Sequence, residues 1–273
     1  MERELFVNIA PISKRLSKYI HSFTLSVKEA TCPTTYIAFP NLGTCLAFFN
    51  QTKVCIEETH VSFSKDKGTR PSIILLGRAQ FPVSVTFNDP VEEIAINFTA
   101  CGINYFFDVP FYQIAQQAHQ VLTNHKWTNF AAVLFAAPAP ERLALLEDFL
   151  LTCLNEENKE ILEKIYTQVS RNEIQQVKEL ANLVHMSERN LLRYFKDYFG
   201  CSPSAFNKIR RFRSAIGQTY NGNGYPKKFY DESTYFDLAH FRKDFRQFTG
   251  AGLTQFYKAL FLVGNGGSPF QLK

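Results

Sequence analysis

No stretch of the 273-residue chain approaches 18 uninterrupted apolar residues, so the sequence offers no membrane-spanning helix. Met1–Ala10 lacks a basic start followed by an apolar run, and no secretory leader is expected. The six cysteines, Cys32, Cys45, Cys55, Cys101, Cys153 and Cys201, form no C-x-x-C pair and follow no regular spacing. That argues against a zinc site or a disulfide framework and for buried thiols in a reducing cytoplasm. The six histidines are scattered, and only the loose pair His119 and His125 come near each other, so no metal is expected. His240 is expected to pack at the base of its helix.

Catalytic patterns are missing as well. There is neither a glycine-rich phosphate loop nor a Gly-x-Ser-x-Gly elbow. The adjacent carboxylates Glu57-Glu58 and Glu92-Glu93 would point to opposite faces of a strand and share no acid–base site. Cys101 beside Gly102 could be a reactive thiol, but burial after a strand is the better reading. No enzyme is expected, and no cofactor.

What the chain does have is apolar bulk and a lopsided charge. Hydrophobic residues make up 45% and charged residues 20%, enough for a packed core and too little charge for wholesale disorder. The 27 phenylalanines read first as large core side chains. Residues 1–160 hold 13 Lys and Arg against 16 Asp and Glu, whereas residues 161–273 hold 17 against 9. A basic C-terminal part on an acidic N-terminal part suggests a polyanion partner for the former.

Between residues 34 and 98, short runs rich in Val, Ile, Thr and Phe predict strands: Tyr36–Phe39, Thr44–Phe49, Lys53–Glu57, Ser72–Leu76, Val83–Phe87 and Ile94–Phe98. Turn material such as Asn88-Asp89-Pro90 separates them. Strands at this spacing predict a small barrel or sandwich. Closing helices follow, over Glu141–Leu154 and Glu157 to about Ser170. The expectation is therefore an α+β chain of two domains: a β-rich, barrel-like regulatory domain over 1–160 and an all-α domain over 161–263. A disordered tail is expected over 264–273, where Gly264-Asn265-Gly266-Gly267 begins it.

The C-terminal part repeats itself at an offset of fifty residues. Leu191 matches Phe241, Arg193 matches Lys243, Phe195 matches Phe245, Lys196 matches Arg246, and Gly200 matches Gly250. Apolar pairs at i and i+4 with basic residues between them describe an amphipathic helix with a cationic outer face, closed by a left-handed glycine. In the first unit, Val177, Leu180, Ala181 and Val184 make one helix, His185-Met186 turns the chain, and Ser187 caps the next helix. Two helices joined by a short turn, the second opening with polar and basic residues, is helix-turn-helix logic.

The text Leu180-Ala181, Ser187 to Leu191, Arg193-Tyr194-Phe195-Lys196, Gly200-Cys201-Ser202-Pro203 and Arg211-Phe212-Arg213-Ser214-Ala215 resembles the AraC/XylS family of transcription regulators. Thr234–Gly250 is similar to that family's second motif, through Asp237, His240-Phe241, Phe245 and Thr249-Gly250. It departs from the pattern at Tyr230, where a small alanine is usual, at Thr234 and His185, where the turn glycine is usual, and at Leu253, which replaces a proline. The N-terminal part more loosely resembles sensor domains on such regulators in Bacteroidetes-type bacteria, through Tyr36–Asn41, Leu76-Gly77 and Ile94–Phe98.

The resemblance implies a cytoplasmic regulator that reads double-stranded DNA through two helix-turn-helix units. Motif position makes Arg189, Leu192 and Arg193 base-facing in the first unit, and Leu238, Arg242 and Lys243 in the second. Asn190, Lys196 and Arg246 are expected nearer phosphates. The resemblance leaves room for a small-molecule effector and for a homodimer. Phe39, Phe48 and Phe87 are candidates to line an effector pocket or dimer surface, although core packing explains each of them better. The departures at Tyr230 and the turn glycines keep an alternative open: a protein-interaction module with a degenerate DNA-binding half.

Overall fold

The computed structural model describes residues 4–28, 33–171, 176–218, 235, 237–253, 255–256, 260–262 and 269–272. The N-terminal part opens with β1 (Glu4–Ile9) and β2 (Ile20–Lys28). It continues through β3 (Thr34–Ala38), β4 (Cys45–Asn50), β5 (Thr52–Ile56), β6 (His60–Lys65), β7 (Ser72–Leu76), β8 (Val83–Phe87) and β9 (Glu92–Phe98). A one-turn helix α1 (Phe111–Ile114) and strand β10 (His119–Val121) follow, then helices α2 (His125–Ala136) and α3 (Arg142–Cys153). The C-terminal part consists of α4 (Glu160–Arg171), α5 (Val177–Leu183), α6 (Glu188–Phe199), α7 (Pro203–Gln218) and α8 (Leu238–Thr249). After them come the short strands β11 (Leu260–Leu262) and β12 (Pro269–Leu272).

The described strands form two open six-stranded sheets, β1-β2-β9-β4-β7-β10 and β11-β12-β3-β8-β6-β5. Of the two expected forms the described strands adopt the sandwich: the sheets do not close into a barrel but stack on one another. The reason lies in the central strands. In β4, Ala47 and Phe49 face the second sheet, where they join Tyr36, Phe63 and Phe87, while Leu46 and Phe48 face the opposite way. Ile74 of β7 and Ala95 of β9 repeat the first direction, and Ile73, Leu75, Ile94 and Ile96 the second. Strands that are apolar on both faces need cover on both sides. Helices α2 and α3 supply it, with Trp127 stacked on Phe107 at 4.9 Å and Phe130 on Phe149 at 3.8 Å.

All six expected strands are present within a residue or two of their predicted ends. β2 and α2 lay outside the sequence reading, although each had a signal. Phe23, Leu25 and Val27 alternate in β2. Asn124 caps α2, its side chain accepting from the backbone N–H of Lys126 and Trp127. The tail, expected to be disordered over 264–273, instead supplies β12, which pairs antiparallel with β3 at the registers Phe270 to Ala38 and Leu272 to Tyr36. Backbone pairing at an open sheet edge outweighs the low apolar content of that segment. Of the cysteines, Cys101, Cys153 and Cys201 are buried, but Cys45 is half-buried and Cys55 exposed, and Cys32 lies outside the described residues.

One apolar cluster runs without a break from the helix-facing side of the first sheet through α4 and α5 to Leu191, Phe195 and Phe199 of α6 and Phe206 of α7. A separate cluster holds Ile209, Phe212, Phe241, Phe245, Phe248 and Phe256. The first helix-turn-helix unit is thus packed into the core of the sheet domain, and the second is built on a separate cluster that Phe39 of the sheet domain enters.

Candidate nucleic-acid interface

The helices α6 and α8 are built alike. α6 is opened by Ser187, whose side chain accepts from the Asn190 N–H at 3.3 Å, and α8 by Asp237, which accepts from the His240 N–H at 2.6 Å. Each closes on a left-handed glycine, Gly200 at φ 66° and Gly250 at φ 70°, whose N–H reaches back to the carbonyl of Lys196 or Arg246. These are the fifty-residue equivalents that the sequence repeat marks. The caps satisfy backbone groups that a helix cannot satisfy within itself.

Burial separates the faces as the periodicity predicts. Leu191 and Phe195 of α6 and Phe241 and Phe245 of α8 are 0–1% exposed. Arg189, Asn190, Arg193 and Lys196 are exposed on α6, with Leu192 at 44% exposure; on α8 Arg242, Lys243 and Arg246 are exposed, with Leu238 at 39%. An apolar residue left in solvent among cations, at the opening of a helix, suits contact with a thymine methyl. Lys196 sits differently from the rest: its ammonium lies 5.1 Å from the ring centroid of Tyr112, a residue of the N-terminal domain.

α7 joins the units. Its N-cap Ser202 accepts from the Ala205 N–H at 3.1 Å, with Pro203 in the first turn. Its Phe206 packs edge-on against Phe195 and Phe199, at 5.9 and 5.6 Å, and its Phe212 packs edge-on against Phe245 at 6.1 Å and tilted against Phe248 at 5.1 Å. The helix extends to Gln218, two residues into the glycine-rich stretch expected as a linker; Tyr230 and Thr234 lie outside the described residues.

The turn between α5 and α6 is closed by Met186 N–H donating to the Ala181 carbonyl at 2.9 Å, and Ala181 itself is 1% exposed, small enough for the helices to touch. His185 takes φ 55° there, the left-handed conformation that a glycine adopts without strain. Its side chain is exposed and contributes little packing. His185→Gly is expected to raise the unfolding free energy by about 0.5–1 kcal/mol, read by urea denaturation. A loss of stability instead would show that the imidazole makes a contact of its own.

Other candidate groups resolve into structure. Cys101 is buried, and desolvation pushes its thiol up to about 12, which removes it as a nucleophile. His240 packs edge-on against Tyr235 at 5.5 Å and lies 3.6 Å from the buried Asp244 carboxylate. The aromatics considered for an effector pocket are all core. Phe48 stacks on Trp127, Phe87 stacks on Phe63 at 4.9 Å, and Phe39 is inserted into the second unit's cluster. Sequence reasoning missed Arg78, Asn104, Phe111 and Tyr112, which bring the N-terminal domain onto α6, and Arg213, which meets it from α7.

α5 and α6, joined by a tight turn, form a helix-turn-helix, and α8 repeats the caps, the buried face and the outward cations of α6; residues 219–234, ahead of α8, lie outside the described residues. Residues 180–259 match the family model described as a helix-turn-helix domain. That segment is an AraC-type helix-turn-helix domain, a DNA-binding domain of transcription regulators. No curated protein matches the sequence. Among solved structures, ToxT from Vibrio cholerae is similar at 13% identity, over 86% of this chain and 98% of that one, with a TM-score of 0.48. A second ToxT structure, from Vibrio cholerae O395, gives 14% identity, 86% and 97% coverage and a TM-score of 0.45. Wild-type ToxT with a bound unsaturated fatty acid gives 10%, 86% and 94%, and 0.46. Among the described residues, no helix is long and apolar enough to cross a membrane.

Proposed function

We propose that the chain reads promoter DNA sequence-specifically, with the opening turns of α6 and α8 in successive major-groove segments on one side of the duplex. The observation that carries this is the matched pair of helices, with equivalent caps, equivalent buried faces and cations at equivalent outward positions. Arg189, Leu192 and Arg193 face bases in the first unit, and Leu238, Arg242 and Lys243 in the second. Asn190, Lys196 and Arg246 serve the phosphate backbone. Residues 161–263 form the DNA-binding part. Residues 1–160 form a regulatory part that takes a small-molecule effector, and the chain acts in the cytoplasm, with two copies pairing as a homodimer on DNA. No catalytic step is assigned to it.

Arg193 tests the assignment most directly. It lies between the buried Leu191 and Phe195 on the sequence, is itself exposed, and belongs to the first half of α6. Arginine suits the O6 and N7 of guanine through a bidentate fork. Arg193→Ala is expected to cost about 1–3 kcal/mol of binding and to relax preference at one base position. Arg193→Lys, which keeps the charge but loses the fork, should relax it too. Quantitative binding to a randomised operator library checks both. A uniform weakening across all sequences would reassign Arg193 to phosphate, and unchanged affinity in both variants would remove it from the interface.

A further inference from the structure

The N-terminal domain grips the two helix-turn-helix units at separate places. α6 ends on carbonyls that have no partner within the helix. The Asn104 side-chain amide donates to the Tyr198 carbonyl at 2.9 Å and to the Cys101 carbonyl at 3.0 Å, while its oxygen accepts from the Phe111 N–H at 2.9 Å. The Arg78 guanidinium donates to the carbonyls of Phe199 and Ala100, and so bridges the end of α6 to the segment after β9. It is 8% exposed and lies near the rings of Phe111 and Phe206, at 5.8 and 5.9 Å. The Cys201 sulfur is 3.9 Å away, but burial pushes that thiol up, so the carbonyl dipoles at the helix end face the buried cation rather than a thiolate. Gly200 is required twice here. Its φ is positive, and a Cβ would stand 2.5 Å from the Phe111 ring.

The second unit is held from a different sheet. Phe39, directly after β3, enters the cluster of Phe212 and Phe256, at 6.4 and 5.3 Å between ring centroids. Arg213 of α7 donates to the carbonyls of Phe39 and Pro40, at 2.8 and 2.6 Å. Desolvation lowers its pKa to about 10, which leaves it cationic at neutral pH. Between the units runs a polar cleft lined by Ser202, Lys208 and Gln247, with Gln80 of the N-terminal domain at its wall. Along this cleft the units do not close on each other, and they share the N-terminal domain as a common base.

We infer that the N-terminal sheet domain fixes the separation and relative angle of α6 and α8, and with them the half-site spacing that the protein accepts on DNA. Arg78 and Asn104 are positioning residues for the first helix, and Phe39 and Arg213 for the second. The inference rests on the DNA-reading function proposed above. The duplex makes spacing a sharp variable: one added base pair moves the second half-site by about 3.4 Å and turns it by roughly 34°. Two helices on a rigid base follow such a change poorly; helices joined by α7 alone can follow it.

The test uses the full-length chain. Two half-sites selected by the wild type are separated by spacers shortened or lengthened one base pair at a time, and binding is measured for the wild type, Arg78→Met, Arg78→Lys and Arg213→Gln. The wild type is expected to show one optimum, with about tenfold weaker binding one base pair to either side, the size of a lost base contact. Arg78→Met and Arg213→Gln should flatten that profile while base preference within each half-site stays as in the wild type. Arg78→Lys, which still donates to a carbonyl, should restore part of the optimum. Should Arg78→Met fail to fold, Arg213→Gln at its half-buried contact decides the question alone. An unchanged optimum in the folded variants overturns the inference. So does a wild type that reads its half-sites but ignores spacing, and in that case the DNA-reading function stands. A wild type that binds no DNA at any spacing overturns that function first and the inference with it.

Discussion

Phe195→Ala is expected to lower the stability of the sheet domain as well as that of the first helix-turn-helix unit. Phe195 is 0% exposed, stacks on Phe199 at 4.5 Å, and belongs to the cluster that continues into the sheet domain through Cys101 and Phe111. Truncating such a ring costs about 3–5 kcal/mol, a large share of a typical domain's stability. The single tryptophan, Trp127, is buried in the same cluster and reports on the sheet-domain side of it. Its fluorescence transition in urea should move to lower denaturant in Phe195→Ala. Phe245→Ala, an equivalent truncation in the second unit's separate cluster, should leave that transition near the wild-type midpoint while the far-ultraviolet helical signal melts early. An unmoved Trp127 transition in Phe195→Ala would show that the shared cluster is not one cooperative unit.

The second large effect is on DNA affinity and salt. Arg189, Arg193, Arg242, Lys243 and Arg246 are exposed on the outer faces of α6 and α8, whereas Lys196 is drawn toward Tyr112. Each phosphate neutralised releases counterions and adds about −0.9 to the slope of log affinity against log salt. Lys196 and Arg246, the two cations assigned to phosphate, give a slope of about −1.8, or roughly a 12-fold loss of affinity between 50 and 200 mM salt. Arg246→Gln should make the slope shallower by about 0.9, whereas Arg193→Gln, at a base-facing position, should change it less, as should Lys196→Gln while its ammonium stays at Tyr112. Fluorescence anisotropy titrations at several salt concentrations measure both. A slope near zero would mean that the basic faces do not meet phosphates. A drop of 0.9 for Lys196→Gln would mean that DNA draws Lys196 away from Tyr112.

Much of the architecture was legible in the sequence because it rests on local regularities. The alternation of Val83, Val85 and Phe87 marks a strand without reference to the rest of the chain, and so does the spacing of Leu191 and Phe195 for a helix. The outward placement of Arg189, Arg193, Arg242 and Lys243 follows from those same periods. The caps at Ser187, Gly200 and Gly250 were visible as residue types at fixed offsets, since only certain side chains satisfy helix ends. The turn at His185 was marked only through the family resemblance, as a departure from the usual glycine, and its φ there is positive.

Tertiary structure decided whatever depends on single residues far apart in the chain. A barrel and a pair of stacked sheets share the same alternating strands; Ala47 and Leu46 reveal two covered faces only once the helices and the second sheet are in place. Arg78 stands alone after a strand, with no period and no motif to mark it, yet it closes on the Phe199 carbonyl 121 residues away. Asn104 reaches Tyr198 across 94 residues, and Arg213 reaches Phe39 across 174. Periodicity encodes which face of an element is buried. Which other element buries it, and which solitary polar group then meets an unsatisfied carbonyl there, is set by how whole surfaces fit. The sequence by itself therefore determined two helix-turn-helix units with cationic faces, and the packed structure alone decided that both are fastened to one base.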